Sequence, residues 1–588
     1  MDWPNLRVIS VNTWLPNISE LKLFAPELTL LATVLAVLII PVFAGRSSYL
    51  AAFVAMIGAI ASLLVSGATV ELVAGGGRGG LTPPGQAPML VADRLTVFFR
   101  IFLLMLLVMI IWLWSCGRAE AERQRRVVGS AAFSHEFFTL LLCSALGMLC
   151  MVSTLNLLVM VIAIETASLP SYAMVAADRR SRAGAEAALK YVMFGAAASA
   201  VMIYGASILY GLFGTLDVGA VAARLAARHE EGLAVAEAGF WLALVALGAG
   251  ITFKIAAVPM HLWCPDVFEG APIEVTTWLS VASKAAGLGL LLRIVDAFGT
   301  AAGDAAAQLV PLSLGVGFLA ALTCTLGNLA ALRQESVKRI LAYSSIAHAG
   351  YMMMAAAILV GRRGQWEASQ AAAALVAYLS VYLLMNLGAF GATALVVWHT
   401  GSDHLSAFSG LGRRAPLVAL AMAVCLFSLV GLPPLGGFAA KWYLLLALGR
   451  AASEQRWLWV LVMIALLNTA VSLYYYVRII RQMYLVDDRE RAPFRPAPGG
   501  TILVGACAVA LVLLGTVWFS PLGRQAEVLA SNLFEPDVVS SEVRGVQSGG
   551  ARAEATTSQR RAAGAGLGSG DVTSYSYHFG FSHVALRG

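Results

Sequence analysis

The chain has 588 residues, 59% of them hydrophobic and only 12% charged. Soluble domains are closer to half apolar and a quarter charged, so a water-soluble monomer is excluded and a membrane protein is implied. The net charge of +7 would suit a nucleic-acid partner in a soluble protein; here the basic residues fall in short loops between apolar runs, the positive-inside pattern, and no nucleic-acid partner is expected.

A bilayer core takes about 20 apolar residues in a helix, and about fourteen such runs succeed one another along the chain. The first three are Ala25–Ala44, Tyr49–Ala68 and Leu95–Cys116. Five more follow at Phe137–Val152, Leu155–Val175, Ala185–Phe213, Phe240–Val258 and Val275–Ile294. The last six are Leu309–Leu332, Ile340–Val360, Ala371–Val397, Leu417–Leu448, Leu458–Ile480 and Ile502–Phe519. No cleavable signal peptide precedes the first run in this reading. From residue 521 onward the chain turns Gly-, Ser-, Ala- and Arg-rich, and a disordered polar tail is expected over 521–588.

Arginines and lysines concentrate in the loops after odd-numbered spans, for example Arg118 and Arg123, Arg179 and Arg180, Lys338 and Arg339, Arg413 and Arg414. Those loops are expected on the cytoplasmic side and both termini on the other, in a bacterial inner membrane. The seven cysteines form no C-x-x-C pair and read as small apolar fillers. No metal set and no phosphate-binding loop is visible, and no cofactor is expected on this chain.

The informative residues are charges inside apolar runs. Each costs at least ~2.5–3.5 kcal/mol at mid-bilayer and marks a functional site by default. Glu165 lies in span 5, Lys254 in span 7, Lys284 in span 8 and Lys441 in span 12. Glu165 and Lys254 are the expected ion pair. Lys190, about one turn inside span 6, reads equally as a lysine snorkelling to the interface. His348 in span 10 reads equally as a proton relay or a packed histidine, with Tyr343 and His261 as weaker candidates.

Helix breakers stand beside two of these charges. Span 7 runs Lys254 to Pro259, and span 12 contains Gly431-Leu432-Pro433-Pro434-Leu435-Gly436-Gly437 before Lys441. Irregular backbone at membrane depth survives only inside protein or against a wet cavity. Two broken spans five positions apart predict two inverted five-helix repeats, spans 4–8 and 9–13, with Lys254 and Lys441 as matched cations. The fold expected is therefore an all-α polytopic bundle. It divides into 1–132 (spans 1–3), 133–300 and 301–485 (the two repeats), 486–520 (span 14 with its preceding loop) and the tail.

Several of these stretches resemble a known family. They are Phe253-Lys254 through Trp263-Cys264-Pro265-Asp266-Val267-Phe268-Glu269-Gly270-Ala271-Pro272, Thr276-Thr277 to Ser283-Lys284-Ala285, and Ser336-Val337-Lys338-Arg339 to Tyr343-Ser344-Ser345-Ile346-Ala347-His348-Ala349-Gly350-Tyr351. Ala188-Leu189-Lys190-Tyr191 and Gly431 to Lys441 match as well. The sequence resembles the antiporter-like subunits of bacterial proton-pumping NADH:quinone oxidoreductase, respiratory complex I, and among them subunit N. The resemblance implies proton translocation driven by electron transfer from NADH to quinone in other subunits. Glu165 and Lys254 would be the coupling pair, Lys284 the central carrier and Lys441 the terminal one. Lys190 would lie near the cytoplasmic entrance, and His348 would help the relay. It also implies that NADH, FMN, iron–sulfur clusters and quinone sit in partner subunits, and that paralogous and small helical membrane subunits are the neighbours within the lipid bilayer. Glu274 departs from the family pattern, which usually has proline there. The alternative is a stand-alone or Mrp-type sodium/proton antiporter subunit.

Overall fold

With no water to pair backbone groups, apolar runs in a bilayer must fold as helices. The computed structural model describes residues 16–45, 47–74, 79–83, 87–123, 135–178, 181–230, 238–301, 310–360, 366–486, 494 and 496–534. They belong to one unit that ends at Phe534.

A short helix α1 (Ile18–Leu23) leads into α2 (Ala25–Ala44) and α3 (Ser48–Ala74). A small antiparallel hairpin, β1 (Gly79–Leu81) with β2 (Leu90–Ala92), precedes α4 (Arg94–Arg123). Then come α5 (His135–Ser153), α6 (Leu157–Val175), α7 (Arg182–Phe213), the short amphipathic α8 (Val218–Glu230) and α9 (Ala238–Ile255). After a break the chain forms α10 (Trp263–Gly270) and α11 (Ile273–Trp278), which passes through one π turn (Leu279–Ser283) into α12 (Lys284–Ala301). The second half holds α13 (Val310–Ala331), α14 (Val337–Leu359), α15 (Trp366–Thr400), the four-residue α16 (Leu411–Arg414), α17 (Pro416–Val430) and α18 (Gly436–Ala451). It ends with α19 (Leu458–Leu485), α20 (Pro498–Thr516) and α21 (Phe519–Phe534).

Each of the fourteen predicted runs falls on a helix or a broken helix pair. Among the described residues, twelve helices are long and apolar enough to cross a membrane. Two predicted spans fall outside that set: α14, which carries Lys338, Arg339 and His348, and the α17–α18 pair, split by its break. The segments 273–298 and 369–400 run through the centre of the bundle and are buried over nearly their whole length.

Small residues let paired helices approach closely, as expected where packing rather than a hydrophobic drive joins helices. Gly147 of α5 meets the backbone of Thr166 and Ala167 in α6, and Gly327 of α13 meets Tyr343 and Ala347 in α14 in the same manner. The second helix of each pair starts at a polar cap, Asn156 for α6 and Ser336 for α14. Each capping residue also forms an isolated bridge to a downstream segment, Asn156 to Asp217 and Ser336 to His404.

Two buried ion pairs fasten the first helices. Arg100 Nε donates to Glu27 Oε1 at 2.6 Å, tying α4 to α2. Arg293 of α12 holds both carboxylate oxygens of Asp93, at 2.7 and 2.6 Å, and also donates to the Val152 carbonyl.

The start of the expected tail is ordered, contrary to the reading from composition. Residues 519–534 form α21, whose Leu522, Ala526 and Ala530 face inward against α15, and the Tyr443 hydroxyl donates to the Phe519 carbonyl at 2.8 Å. Small apolar residues at helical spacing were hidden there by a polar average composition. The rest of the expected tail, 535–588, lies outside the described residues.

Candidate functional site: a buried line of lysines

Both expected breaks form, and both place a lysine beside a free helix end. Helix α9 stops at Ile255, one residue after Lys254, and Ala256 takes a left-handed φ of 61°. The break thus begins before Pro259, the residue that signalled it. Helix α17 stops at Val430, and Gly431 at φ 89° turns the chain out. A Cβ there would also lie 2.9 Å from Lys441 Cδ and press on that side chain, while the left-handed φ itself favours glycine.

The two lysines are not placed alike. Lys254 occupies the last turn before its break, whereas Lys441 lies in the second turn of α18, after its break. Lys441 reaches back so that Nζ donates to the carbonyls of Leu429 (3.2 Å) and Val430 (2.8 Å). These carbonyls have no intrahelical partner and lie at the negative end of α17, where a cation is favoured. Its Nζ also lies 4.7 Å from the centre of the Tyr351 ring.

Lys254 is 1% exposed, and its Nζ has no hydrogen-bond partner among the described residues. The expected contact pair is therefore absent in this geometry. The Glu165 carboxylate instead accepts a hydrogen bond from the Ser199 hydroxyl of α7. Glu165 is half-buried.

Lys284 is wholly buried and is the first residue after the π turn. Its Nζ lies 4.0 Å from Cys264 Sγ and 5.1 Å from the centre of the Phe268 ring. Cys264 thus contacts a cation rather than only filling space. The Ser283 hydroxyl donates to the Lys254 carbonyl at 2.8 Å, so the π turn clasps the end of α9.

From Lys284 the polar line continues between α14, α15 and α19. Cys264 adjoins Ser345, and the Tyr382 hydroxyl donates to the Ser280 carbonyl at 3.1 Å. His348, 2% exposed, pairs through Nδ1 with the Tyr378 hydroxyl at 2.9 Å and through Nε2 with the Tyr476 hydroxyl at 3.5 Å. Its ring packs 5.9 Å from that of Tyr351, which lies over Lys441. Lys284, His348 and Lys441 thereby lie along one line of buried polar groups, and Lys254 adjoins it through its main-chain carbonyl.

Lys190 falls elsewhere. It is 41% exposed and ion-paired to Glu186 and Asp266, both at 2.8 Å. Asp266 also binds Arg339, which binds Glu269, making a half-exposed ion network at one end of the bundle. His261 lies in the span 7 break, and Tyr343 is half-buried on α14.

Sequence reading missed Lys338 as a buried group, because it sits at the start of a span among loop arginines. It is 7% exposed, and Nζ donates to the carbonyls of Glu269 (2.6 Å) and Ala271 (2.8 Å) at the end of α10. It also missed Arg100 and Arg293, although both stand inside apolar runs and were as visible as the lysines. Among the described residues no group of three His, Cys, Asp or Glu side chains could hold a metal.

Residues 154–469 match the family described as NADH:quinone oxidoreductase/Mrp antiporter, TM. The chain belongs to this family. A relative from Sorangium cellulosum, "NADH-quinone oxidoreductase subunit N 2", is 40% identical over 86% of this chain and 96% of its own length. A chain of respiratory complex I from Thermus thermophilus with bound Aureothin is 32% identical with a TM-score of 0.65, over 84% of this chain and 98% of that one. A chain of the Mrp complex from Dietzia superposes with a TM-score of 0.72 over 88% of this chain and 98% of that one. It is only 20% identical, a likeness of fold alone. Sequence thus favours the subunit N side of the family over the Mrp side.

Proposed function

We propose that this chain is the proton-translocating subunit N of a membrane-bound NADH:quinone oxidoreductase. The observation that carries the reading is the set of buried lysines at two helix breaks and a π turn: Lys284 meets the Cys264 thiol, Lys441 lies over Tyr351 beside His348, and Lys254 is tied to Ser283 through its main-chain carbonyl. Its kinship to subunit N supplies the source of energy. Electron transfer from NADH to quinone takes place in partner subunits, which hold the flavin, iron–sulfur clusters and quinone. This chain supplies groups that take up, hold and release protons.

The mechanism is electrostatic. Lys254 has no fixed hydrogen-bond partner among the described residues, so its proton affinity is set by burial and by the charge of Glu165. Two charges about 10 Å apart at an effective dielectric near 20 interact by roughly 1.7 kcal/mol. Removing the Glu165 charge from reach, or an equal charge change in a neighbouring subunit, therefore alters the proton affinity of Lys254 by more than tenfold. The proton passes to Lys284, then by way of His348 and the surrounding tyrosines to Lys441. Moving one proton against ~150 mV takes roughly 3.5 kcal/mol, so several such biases act in series.

Glu165, Lys254, Lys284 and Lys441 form the relay in this proposal, with His348 as a link. Lys190 belongs to the ion network at the entrance side. Spans 4–8 and 9–13 are inverted repeats, supported by the shared glycine contacts, polar caps and bridges of α5–α6 and α13–α14. The chain lies in the bacterial inner membrane beside paralogous subunits, with the arginine-rich loops in the cytoplasm and both termini outside.

The purified chain alone, reconstituted in vesicles, should exchange no sodium for protons under an imposed pH gradient. Sodium-dependent exchange by the single chain would favour the antiporter alternative and overturn the assignment.

A further inference from the structure

The relay begins at Lys254 and Lys284, which leaves unassigned how a proton reaches them from the arginine-rich end of the bundle. One buried carboxylate lies on that route. Glu274, in the first turn of α11, is 3% exposed. One of its oxygens is held by the Trp398 side chain of α15, while Oε1 has no hydrogen-bond partner among the described residues. Gly117 of α4 leaves room against Oε1: a Cβ there would come to 3.2 Å. An isolated buried carboxylate is costly to keep charged. Such a group is suited to hold a proton or to pass it on.

Its surroundings give the direction. Gly117, Trp398 and the start of α14 all lie at the end of the bundle that carries Arg118, Arg339, Arg413 and Arg414. Lys338 is the cation that faces Glu274 through space, and it also feels Asp403 and Glu269. The carbonyls that Lys338 holds, Glu269 and Ala271, join it to the half-exposed network of Lys190, Asp266, Glu269 and Arg339. Carboxylates are therefore available at the surface, a buried cation behind them and Glu274 behind that.

Inward from Glu274, the helix itself provides the next steps. Glu274, Thr277, Ser280 and Lys284 succeed one another at spacings of three and four along α11, the π turn and α12, and all are buried. The Thr277 and Ser280 hydroxyls donate to the Ile273 and Thr277 carbonyls, and the π turn carries Lys284 off the face that an unbroken α-helix would give it.

We propose that Glu274 is the proton-loading residue of this chain, taking protons from the surface ion network and passing them inward along α11 toward Lys284, with Lys338 as the positioning cation. The proposal rests on the lysine-relay reading. The transfer is a proton moving between oxygen and nitrogen bases and involves no redox step.

The test uses the assembled complex in proteoliposomes. Glu274→Gln should lower the rate of proton pumping by roughly tenfold, which is about 1.4 kcal/mol on the transfer barrier. It should also remove a protonated-carboxyl band from the redox-induced infrared difference spectrum. Glu274→Asp should keep pumping and shift that band; it serves equally if the glutamine variant fails to assemble, because an unshifted band then overturns the proposal. Normal pumping in Glu274→Gln, beside impaired pumping in Lys284→Ala, would overturn the loading role and leave the relay standing. Normal pumping in both would overturn the relay and the loading role together.

Discussion

At the scale of single residues, the site depends on where unpaired backbone meets unpaired charge. Lys441 takes two orphan carbonyls of α17, and Lys338 takes two carbonyls at the end of α10. Lys254 stands at a helix end with no bonding partner among the described residues. A lysine fixed on carbonyls holds its proton in place, whereas one without a fixed partner responds to a distant charge. Gly431 makes the first arrangement possible. Gly431→Ala should destabilise the assembled protein by ~1–2 kcal/mol through left-handed strain, and a thermal melt of the purified complex measures it; an unchanged melting temperature would contradict the role given to this turn. The lysines themselves were legible in the sequence, because a charge in an apolar run stands out at once. Their partners were not. Ser199 for Glu165 and Cys264 for Lys284 come from other helices, and hydroxyls and thiols are ordinary in such runs. Arg100 and Arg293 were passed over although equally conspicuous. They make contact-distance pairs with Glu27 and Asp93 and are structural fasteners.

At the scale of elements, proline and glycine announced the two broken helices, but not where they break or which side the lysine takes. Gly431 marks its break to the residue, while Ala256 opens the other without glycine or proline at its own position. The π turn at Leu279–Ser283 gave no sign at all, since its residues are common in α-helices. Yet it sets the direction of Lys284, for an extra residue in one turn rotates the downstream helix by about 100°. Deleting Val281 should restore a regular helix and swing Lys284 away from Cys264 and Phe268. The expected outcome is an inserted, assembled complex that pumps as poorly as Lys284→Ala. Pumping at the normal rate after the deletion would show that the π turn does not orient the carrier. Amphipathic α8 and α21 were also missed, because both are short and a span-length window averages them away.

At the scale of the whole molecule, membrane class and helix order were written in composition and run length, since a bilayer admits few backbone solutions. The paired features of α5–α6 and α13–α14 support the proposed inverted repeat, and the unequal placement of Lys254 and Lys441 shows that the two halves are not copies in their chemistry. That asymmetry suits a path with an entrance and an exit. The central claim is that the buried lysines carry protons and do not merely pair charges. It is tested most directly by the ratio of protons pumped to electrons transferred in proteoliposomes holding the complex with Lys254→Ala. The account predicts that quinone reduction continues while proton pumping is abolished or strongly reduced; an unchanged ratio would contradict it.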